Sequence, residues 1–189
     1  MTYKDVILIS PDEVKSSTNI NYNVDDLTLS YTIRNVQNIY LEEIIGTALL
    51  RRIQEMVYNK LQNLENTIDD FPTYKELLDT YIKDFLTSKT MCDILVNISF
   101  KIRNIGVSRN SDTNINYTDL SDLKYLRQQY DTYANEYAER LSKYLCANKE
   151  DFAELSADIP SYFKRPLIGK DFGNTGIWLG KENENKCNC

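Results

Sequence analysis

Few side chains in this sequence have the types and spacing that catalysis or metal binding needs. The 189 residues include no histidine, which excludes Ser-His-Asp and Cys-His catalysis, histidine-containing zinc sites and a histidine-based pH switch. Cys187 and Cys189 form a Cys-Asn-Cys sequence that offers two thiolate ligands for a soft metal or a redox pair. No second cysteine pair accompanies them, so we expect a polar tail there.

The acidic pairs and the loops also lack a catalytic pattern. Glu42-Glu43 and Asp69-Asp70 are adjacent in sequence and are expected in solvent at helix ends or turns, not as an acid–base pair. The chain has no Gly-x-x-x-x-Gly-Lys-Ser/Thr loop for nucleotides and no Gly-x-Ser-x-Gly elbow. We therefore predict a protein that is not an enzyme and has no catalytic residue, cofactor or metal. The minor alternative is an enzyme that uses carboxylates and the Cys-Asn-Cys tail together with a metal ion.

Apolar residues recur at helical spacing along most of the first 150 residues, which predicts an all-α fold. We expect a helical bundle domain of about four to five helices in residues 1–150, with one long central helix. Residues 151–189 are predicted to form an extended C-terminal arm and a polar tail. The net charge of −6 argues against a protein that coats nucleic acid.

Capping residues mark the predicted helix starts. After a short N-terminal arm at residues 1–9, Ser10 and Glu13 form a capping box with Pro11 at the first helical position. The same reasoning places later caps at Asp25 or Asp26 for the second helix and at Thr73, with Glu76, for the fourth.

The apolar repeats predict which residues are buried. In the second helix the apolar pattern comprises Leu27, Tyr31, Ile33, Ile39 and Leu41. The third helix, residues 47–63, has Leu49, Leu50, Ile53, Val57 and Leu61 inside and Arg51, Arg52, Gln54 and Lys60 outside. The fourth, central helix buries Leu77, Tyr81, Phe85, Cys92 and Leu95. The fifth helix carries a stripe of Leu126, Tyr130, Tyr133, Tyr137, Leu141 and Tyr144. Cys92 and Cys146 are predicted to be small buried hydrophobic residues.

Tyrosine is the most distinctive component, with 14 residues in the chain. Its ring is apolar and its hydroxyl is polar, so many tyrosines suit surfaces that are half buried. The stripe on the fifth helix is expected to belong to the core. The alternative is that some of its rings reach a neighbouring subunit.

Residues 104–118 are rich in Gly, Ser, Asn and Asp, which predicts a polar loop or hairpin. At this length the segment is expected to be functional or mobile. Lys101, Arg103 and Arg109 cluster around it. A solvated loop is the default expectation for these residues, and the alternative is that they contact phosphates. We select Arg103, Val107 and Arg109 as candidates for an interface or a loop close to DNA.

The segment after residue 150 combines helix breakers with large apolar side chains. Pro160, Pro166 and four glycines prevent a helix, while the aromatic content is too high for a solvated linker. We predict that the arm docks through six apolar anchors, either on its own bundle or on another chain. These anchors are Tyr162, Phe163, Phe172, Ile177, Trp178 and Leu179.

Four collinear segments resemble motifs of a group of tailed-phage structural proteins. Residues Ile39–Leu50 resemble "YL-x-x-ILGT-x-L", Ser99–Val107 resemble "SFKI-x-NKGV", and Leu123–Leu145 resemble "KYLR…Y-x-ERL-x-KYL". Residues Gly176–Gly180 are similar to the "SGI-aromatic-x-G" tail of the same group. The group comprises small helical head–tail connector, or adaptor ring, proteins of phages of Bacteroidetes hosts, including crAss-like phages.

The resemblance implies a structural role in the virion neck. The chain would form a ring, commonly of twelve copies, stacked below the portal protein, and would also contact a neighbouring tail or ring protein. Double-stranded DNA would pass through the channel. The subunit would be made in the host cytoplasm and would have no membrane segment, since no stretch approaches the 18–20 apolar residues of a span. A small helical adaptor that binds a host or phage partner through the tyrosine stripe is the alternative.

Overall fold

Five helical rods form the body of the protein, as expected for an all-α bundle. The computed structural model describes residues 2–20, 23–103, 106–109 and 120–156. The rods, in chain order, are α1 (Pro11–Ser17); α2 (Asp26–Val36) continued by a first π segment (Gln37–Leu41) and α3 (Glu42–Ile45); α4 (Thr47–Leu61); α5 (Pro72–Glu76) continued by a second π segment (Leu77–Ile82) and α6 (Lys83–Ser99); and α7 (Leu120–Ala147).

A short antiparallel ribbon and four 3₁₀ turns complete the described chain. Strands β1 (Phe100–Arg103) and β2 (Gly106–Arg109) follow α6 directly. This ribbon fits the hairpin alternative for the polar segment. The 3₁₀ turns are Tyr3–Asp5, Ile68–Asp70, Lys149–Asp151 and Ala153–Ser156.

The predicted cap of the first helix is confirmed. The Ser10 hydroxyl accepts a hydrogen bond from the Glu13 N–H at 3.2 Å, and the Glu13 carboxylate accepts one from the Ser10 N–H at 2.8 Å. This reciprocal pair satisfies two backbone donors that the first helical turn leaves open.

Asp25 is the N-cap of α2, as predicted, because its carboxylate accepts a hydrogen bond from the Thr28 N–H at 2.9 Å. The predicted cap at Thr73 is wrong. Helix α5 already starts at Pro72, whose missing N–H costs nothing at the first helical position. A capping box nearby is formed instead by Thr67 and Asp70 around the preceding 3₁₀ turn.

The rod that contains α6 is central, because it packs between α2 and α7. A continuous core joins these rods to α3 and α4. The largest fully buried side chains are Phe152, Leu29, Ile33, Leu41, Ile45, Leu49, Leu50, Ile53, Met56, Leu77, Ile82 and Leu86.

The apolar pattern assigned to the second helix is largely wrong. Leu27 and Tyr31 are 80% and 65% exposed, and Ile39 is exposed too. Ile33 and Leu41 are buried as predicted, and the buried line between them runs through Val36, five positions before Leu41. The first π segment lies between them. Its wider turn adds a residue and shifts the helical phase, which a regular 3.6-residue repeat does not anticipate.

Helix α4 also departs from its predicted pattern at two positions. Gln54, expected outside, is fully buried, whereas Leu61, expected inside, is 60% exposed at the end of the helix. The Gln54 amide donates to the carbonyl oxygens of Lys4 and Val6, at 3.3 and 3.0 Å. Burial of this polar side chain is possible because backbone groups satisfy it.

The N-terminal segment, predicted as a short arm, is part of the core. Val6, Leu8 and Ile9 are buried. Gln37, at the start of the first π segment, donates to the Val6 carbonyl at 3.0 Å and accepts the Leu8 N–H at 2.9 Å. We call Val6–Ile9 the strap, since two glutamines from different rods hold it.

The bundle extends beyond residue 150. Phe152 and Leu155 are buried, and the Phe152 ring packs edge-on against Tyr74 with centroids 5.2 Å apart. The Tyr74 hydroxyl donates to Glu154 at 2.8 Å. Burial and this hydrogen bond raise the pKa of Tyr74 to about 12. The 3₁₀ turns after α7 therefore belong to the bundle domain and not to the arm.

Candidate interaction surfaces

The tyrosine stripe of α7 lines a groove instead of filling the core. Leu141 is buried as predicted, but Tyr133 and Leu126 are exposed, and Tyr130, Tyr137 and Tyr144 are only partly buried. The buried residues of α7 are small or aliphatic. They are Ala134, Ala138, Leu141, Ser142 and Leu145.

Two adjoining cavities make up the groove, which we call the tyrosine groove. The first, of about 450 Å³, lies between the end of α1, the rod containing α6, and the rings of Tyr130, Tyr133 and Tyr137. The second, of about 570 Å³, continues along α7 past Tyr144 to Asn148. Tyr137 lines both cavities, so they adjoin at its ring.

Carboxylates outnumber cations along this groove. The ammonium of Lys83 lies 2.9 Å from both Glu13 and Asp79. Burial lowers the pKa of Lys83, but its hydrogen bonds to these two carboxylates raise it further, and the net shift is upward. Burial raises the pKa of Glu13, but hydrogen bonds from Ser10 and Lys83 bring it below its usual value. Lys83 and Glu13 are therefore both ionised at neutral pH.

Tyrosine rings at the second cavity already bind a cation. The guanidinium of Arg140 lies 5.0 Å from the centroid of Tyr81, whose ring stacks on Tyr144 at 4.1 Å. Arg140 is also 3.7 Å from the Asp84 carboxylate. The groove thus combines aromatic faces with carboxylates, a pairing that recognises cationic side chains.

A separate cluster of ionisable groups joins α6 to α7. Lys89 binds Asp131 at 2.7 Å and lies over the Tyr40 ring at 4.5 Å. Burial raises the pKa of the neighbouring Cys92 thiol, which is 3.7 Å from Asp131. A buried thiol with a raised pKa is a poor nucleophile. Cys92 is buried as predicted, whereas Cys146 is only partly buried.

Exposed apolar side chains concentrate at the end of the bundle that carries the ribbon. Asp131, Arg140 and Tyr144 of α7 contact Lys89, Asp84 and Tyr81 in turn, so the two rods are antiparallel. The Asn97 amide donates to Thr32 at 3.2 Å. The middle of α2, the end of α6 and the start of α7 therefore meet next to the ribbon. We call this region the ribbon end. Its exposed apolar residues are Leu27, Tyr31, Val96, Tyr125 and Leu126.

The three ribbon residues selected from the sequence do not share one face. The register pairs Val107 with Ile102, Arg109 with Phe100, and Arg103 with Gly106. Paired residues share a face of a ribbon and successive residues alternate. Val107 and Arg109 therefore belong to one face and Arg103 to the other.

The remaining sequence candidates lie outside the described residues. They are the arm anchors Tyr162, Phe163, Phe172, Ile177, Trp178 and Leu179, together with Cys187 and Cys189. Within the described ranges, no group of three or more acidic or cysteine side chains is placed to hold a metal ion. No helix in those ranges is both long enough and apolar enough to cross a membrane.

The fold and these surfaces define a helical-bundle protein with an open aromatic groove and an apolar ribbon end. The chain belongs to the family of unknown function DUF6712, which matches residues 41–159. The match covers the chain from the end of the first π segment through α7 and the turns after it. No curated protein and no solved structure matches the chain significantly.

Proposed function

We propose that this protein is a structural subunit of a tailed-phage virion, a head–tail connector or adaptor ring protein stacked below the portal. It has no enzymatic activity in this role. Its partners are further copies of itself in a ring, commonly of twelve, the portal protein and a neighbouring tail or ring protein. The support from sequence is the set of four collinear segments that resemble this group.

The structural observation that carries the proposal is the placement of exposed apolar residues at both ends of the central rod. The ribbon end exposes the five apolar side chains named above, and the opposite end exposes Leu61 and Leu64 near the start of α5. The rod from Pro72 to Ser99 is about 40 Å long at 1.5 Å per residue. Exposed apolar groups of this kind favour protein contacts, and a connector needs one contact surface above and another below.

The ribbon and the C-terminal segment supply further contacts in this proposal. Arg103 and Arg109 of the ribbon are proposed to contact DNA phosphates in the channel or a neighbouring subunit. Trp178 and its neighbours Ile177 and Leu179 bind an adjacent subunit, because a large aromatic residue is the type that most often dominates interface energy.

The test is the position and copy number of the chain in intact particles. We expect mass spectrometry of purified virions to detect the protein at a copy number per particle equal to the number of subunits in its ring. We expect cryo-electron microscopy of the neck to place its helices below the portal. A variant that carries Leu27→Asp and Tyr31→Asp should assemble poorly, while Tyr58→Asp, a control on the partly exposed side of α4, should assemble normally. Absence of the protein from purified particles rejects the proposal.

A second candidate function rests on the tyrosine groove. A groove with aromatic walls and an excess of carboxylates suits a small helical adaptor that binds a basic segment of a host or phage protein. A purified chain that stays monomeric and binds one such protein through the groove favours this function over the connector.

A further inference from the structure

The tyrosine groove has the chemistry of a binding site for a short segment that is both aromatic and basic. Its charged side chains are five carboxylates and three cations, an excess of two negative charges. They are Glu13, Asp79, Asp84, Glu136 and Glu139 against Lys83, Arg140 and Lys143. The rings of Tyr130, Tyr133 and Tyr137 form one wall. Such a site attracts cations both through the carboxylates and through the ring faces.

This chain contains a segment that fits that chemistry. Tyr162-Phe163-Lys164-Arg165 places two aromatic residues directly before two cations. It lies outside the described residues and starts soon after the last turn of the bundle. Within residues 157–189 of the sequence, only this stretch has two consecutive aromatic residues followed directly by two consecutive basic residues.

The end of the bundle brings this segment within reach of the groove. Phe152 packs near Tyr144, with ring centroids 6.3 Å apart, and Tyr144 lines the second cavity. From Tyr144 to Tyr130 the groove extends about 21 Å along α7, at 1.5 Å per residue. The described bundle ends at Ser156, and the eight residue steps from there to Lys164 span up to about 26–29 Å when extended. The chain is therefore long enough to lie along the groove of its own bundle.

We infer that Tyr162–Arg165 docks in the tyrosine groove of the same chain. Lys164 and Arg165 bind among Glu13, Asp79 and Asp84, while the rings of Tyr162 and Phe163 pack against the tyrosines of α7. Docking anchors the first part of the C-terminal segment on its own bundle. The inference is independent of the proposed ring, because it concerns one chain in solution.

Photo-cross-linking on the full chain tests this inference. Tyr133 is replaced by the photoreactive amino acid p-benzoylphenylalanine, which keeps an aromatic ring in the groove. We expect irradiation to join position 133 to a peptide from residues 157–170, in a product that retains the mass of one chain. The same replacement at Tyr125, which is 71% exposed outside the groove, should give little of this product.

Charge variants establish that the contact is specific. Lys164→Glu with Arg165→Glu should lower the cross-link yield at least fivefold, and adding Asp84→Lys should restore part of it. Lys181→Glu with Lys186→Glu changes the net charge equally and should leave the yield unchanged. Equal yields in the two charge variants, a cross-link to a different peptide, or a product of twice the chain mass overturns the inference. Circular dichroism of each variant confirms that the bundle is folded.

Discussion

Gln37 and Gln54 donate hydrogen bonds to the same backbone carbonyl oxygen, that of Val6, each at 3.0 Å. Gln37 belongs to the first π segment and Gln54 to α4, so the strap joins two rods that are separate in sequence. Both side chains are buried. In an apolar interior such hydrogen bonds satisfy groups that would otherwise cost stability. The first residues of the chain therefore help to define how the rods pack.

Loss of one glutamine should destabilise the bundle. Gln37→Leu removes the side-chain oxygen that accepts the Leu8 N–H. This buried N–H is then left without a hydrogen-bond acceptor, which lowers the free energy of unfolding by about 1–3 kcal/mol. Urea denaturation followed by circular dichroism measures the change. Gln128→Leu, on an exposed position of α7, is the control and should have little effect. Equal stability of the two variants would show that the strap contributes nothing to the fold.

Asp69 should contribute stability that depends on pH and salt. Hydrogen bonds from Lys60 and Lys75, at 2.7 and 2.6 Å, lower its pKa from 3.8 to about 2. Because the pKa is lowered in the folded state, the contribution is present above pH 3.8 and is lost as the pH falls to 2. Asp69→Asn should therefore reduce stability at pH 7 in low salt.

Two conditions should remove the difference between the wild type and Asp69→Asn. It should shrink in 1 M salt, since exposed ion pairs are screened, and it should vanish near pH 2. Glu65→Gln, an equal change of charge at an exposed residue before the same turn, is the control. A difference that persists at pH 2 contradicts the assigned role of Asp69. Thermal melts across pH 2–7 provide the measurement.

Phe152 should be essential to the stability of the bundle. It is fully buried and contacts the rings of Tyr74 and Tyr144. Phe152→Ala removes these contacts and leaves a cavity, with an expected loss of about 3–5 kcal/mol. Tyr125→Ala, which removes an exposed ring, should cost far less. If both variants unfold at the same urea concentration, residues after 150 do not belong to the bundle.

Two buried threonines should respond in opposite ways to the same substitution. Thr32 donates to the Thr28 carbonyl at 2.8 Å and accepts from Asn97, whereas the buried Thr90 hydroxyl has no hydrogen-bond partner in the described structure. Thr90→Val replaces an unsatisfied hydroxyl by a methyl group and should be neutral or stabilising by up to about 1 kcal/mol. Thr32→Val should destabilise by a similar amount. Denaturant midpoints distinguish these outcomes.

Trp178 should affect assembly without affecting the bundle. If it binds a neighbouring subunit, Trp178→Ala weakens assembly by about 2–4 kcal/mol, while the melting temperature of the isolated chain stays the same. Analytical ultracentrifugation and the yield of tailed particles measure assembly. Lys181→Ala, close by in the polar tail, is the control. Unchanged assembly rejects this role, and a lower melting temperature of the isolated chain instead indicates that Trp178 binds its own bundle.

Local sequence signals predicted most of the helix boundaries correctly. Ser10 and Asp25 cap helices through hydrogen bonds to residues within the next helical turn. These features depend on neighbouring residues alone, and for that reason the sequence was sufficient to locate them. The polar segment was predicted to be a loop or a hairpin, and the pairing of its strands required the register.

The sequence by itself determined the number of rods, their approximate ends and the all-α class, because helix capping and helical periodicity are local. Only the tertiary structure decided which side of the second rod and of α7 is buried. In α7 the small Ala134 and Ala138 allow close packing on α6 and leave the tyrosines to line the groove, although both sets repeat at helical spacing. In the second rod a π turn shifts the phase, and Gln37 and Gln54 are buried because the strap satisfies them. These outcomes depend on partners distant in sequence, so no local pattern specifies them.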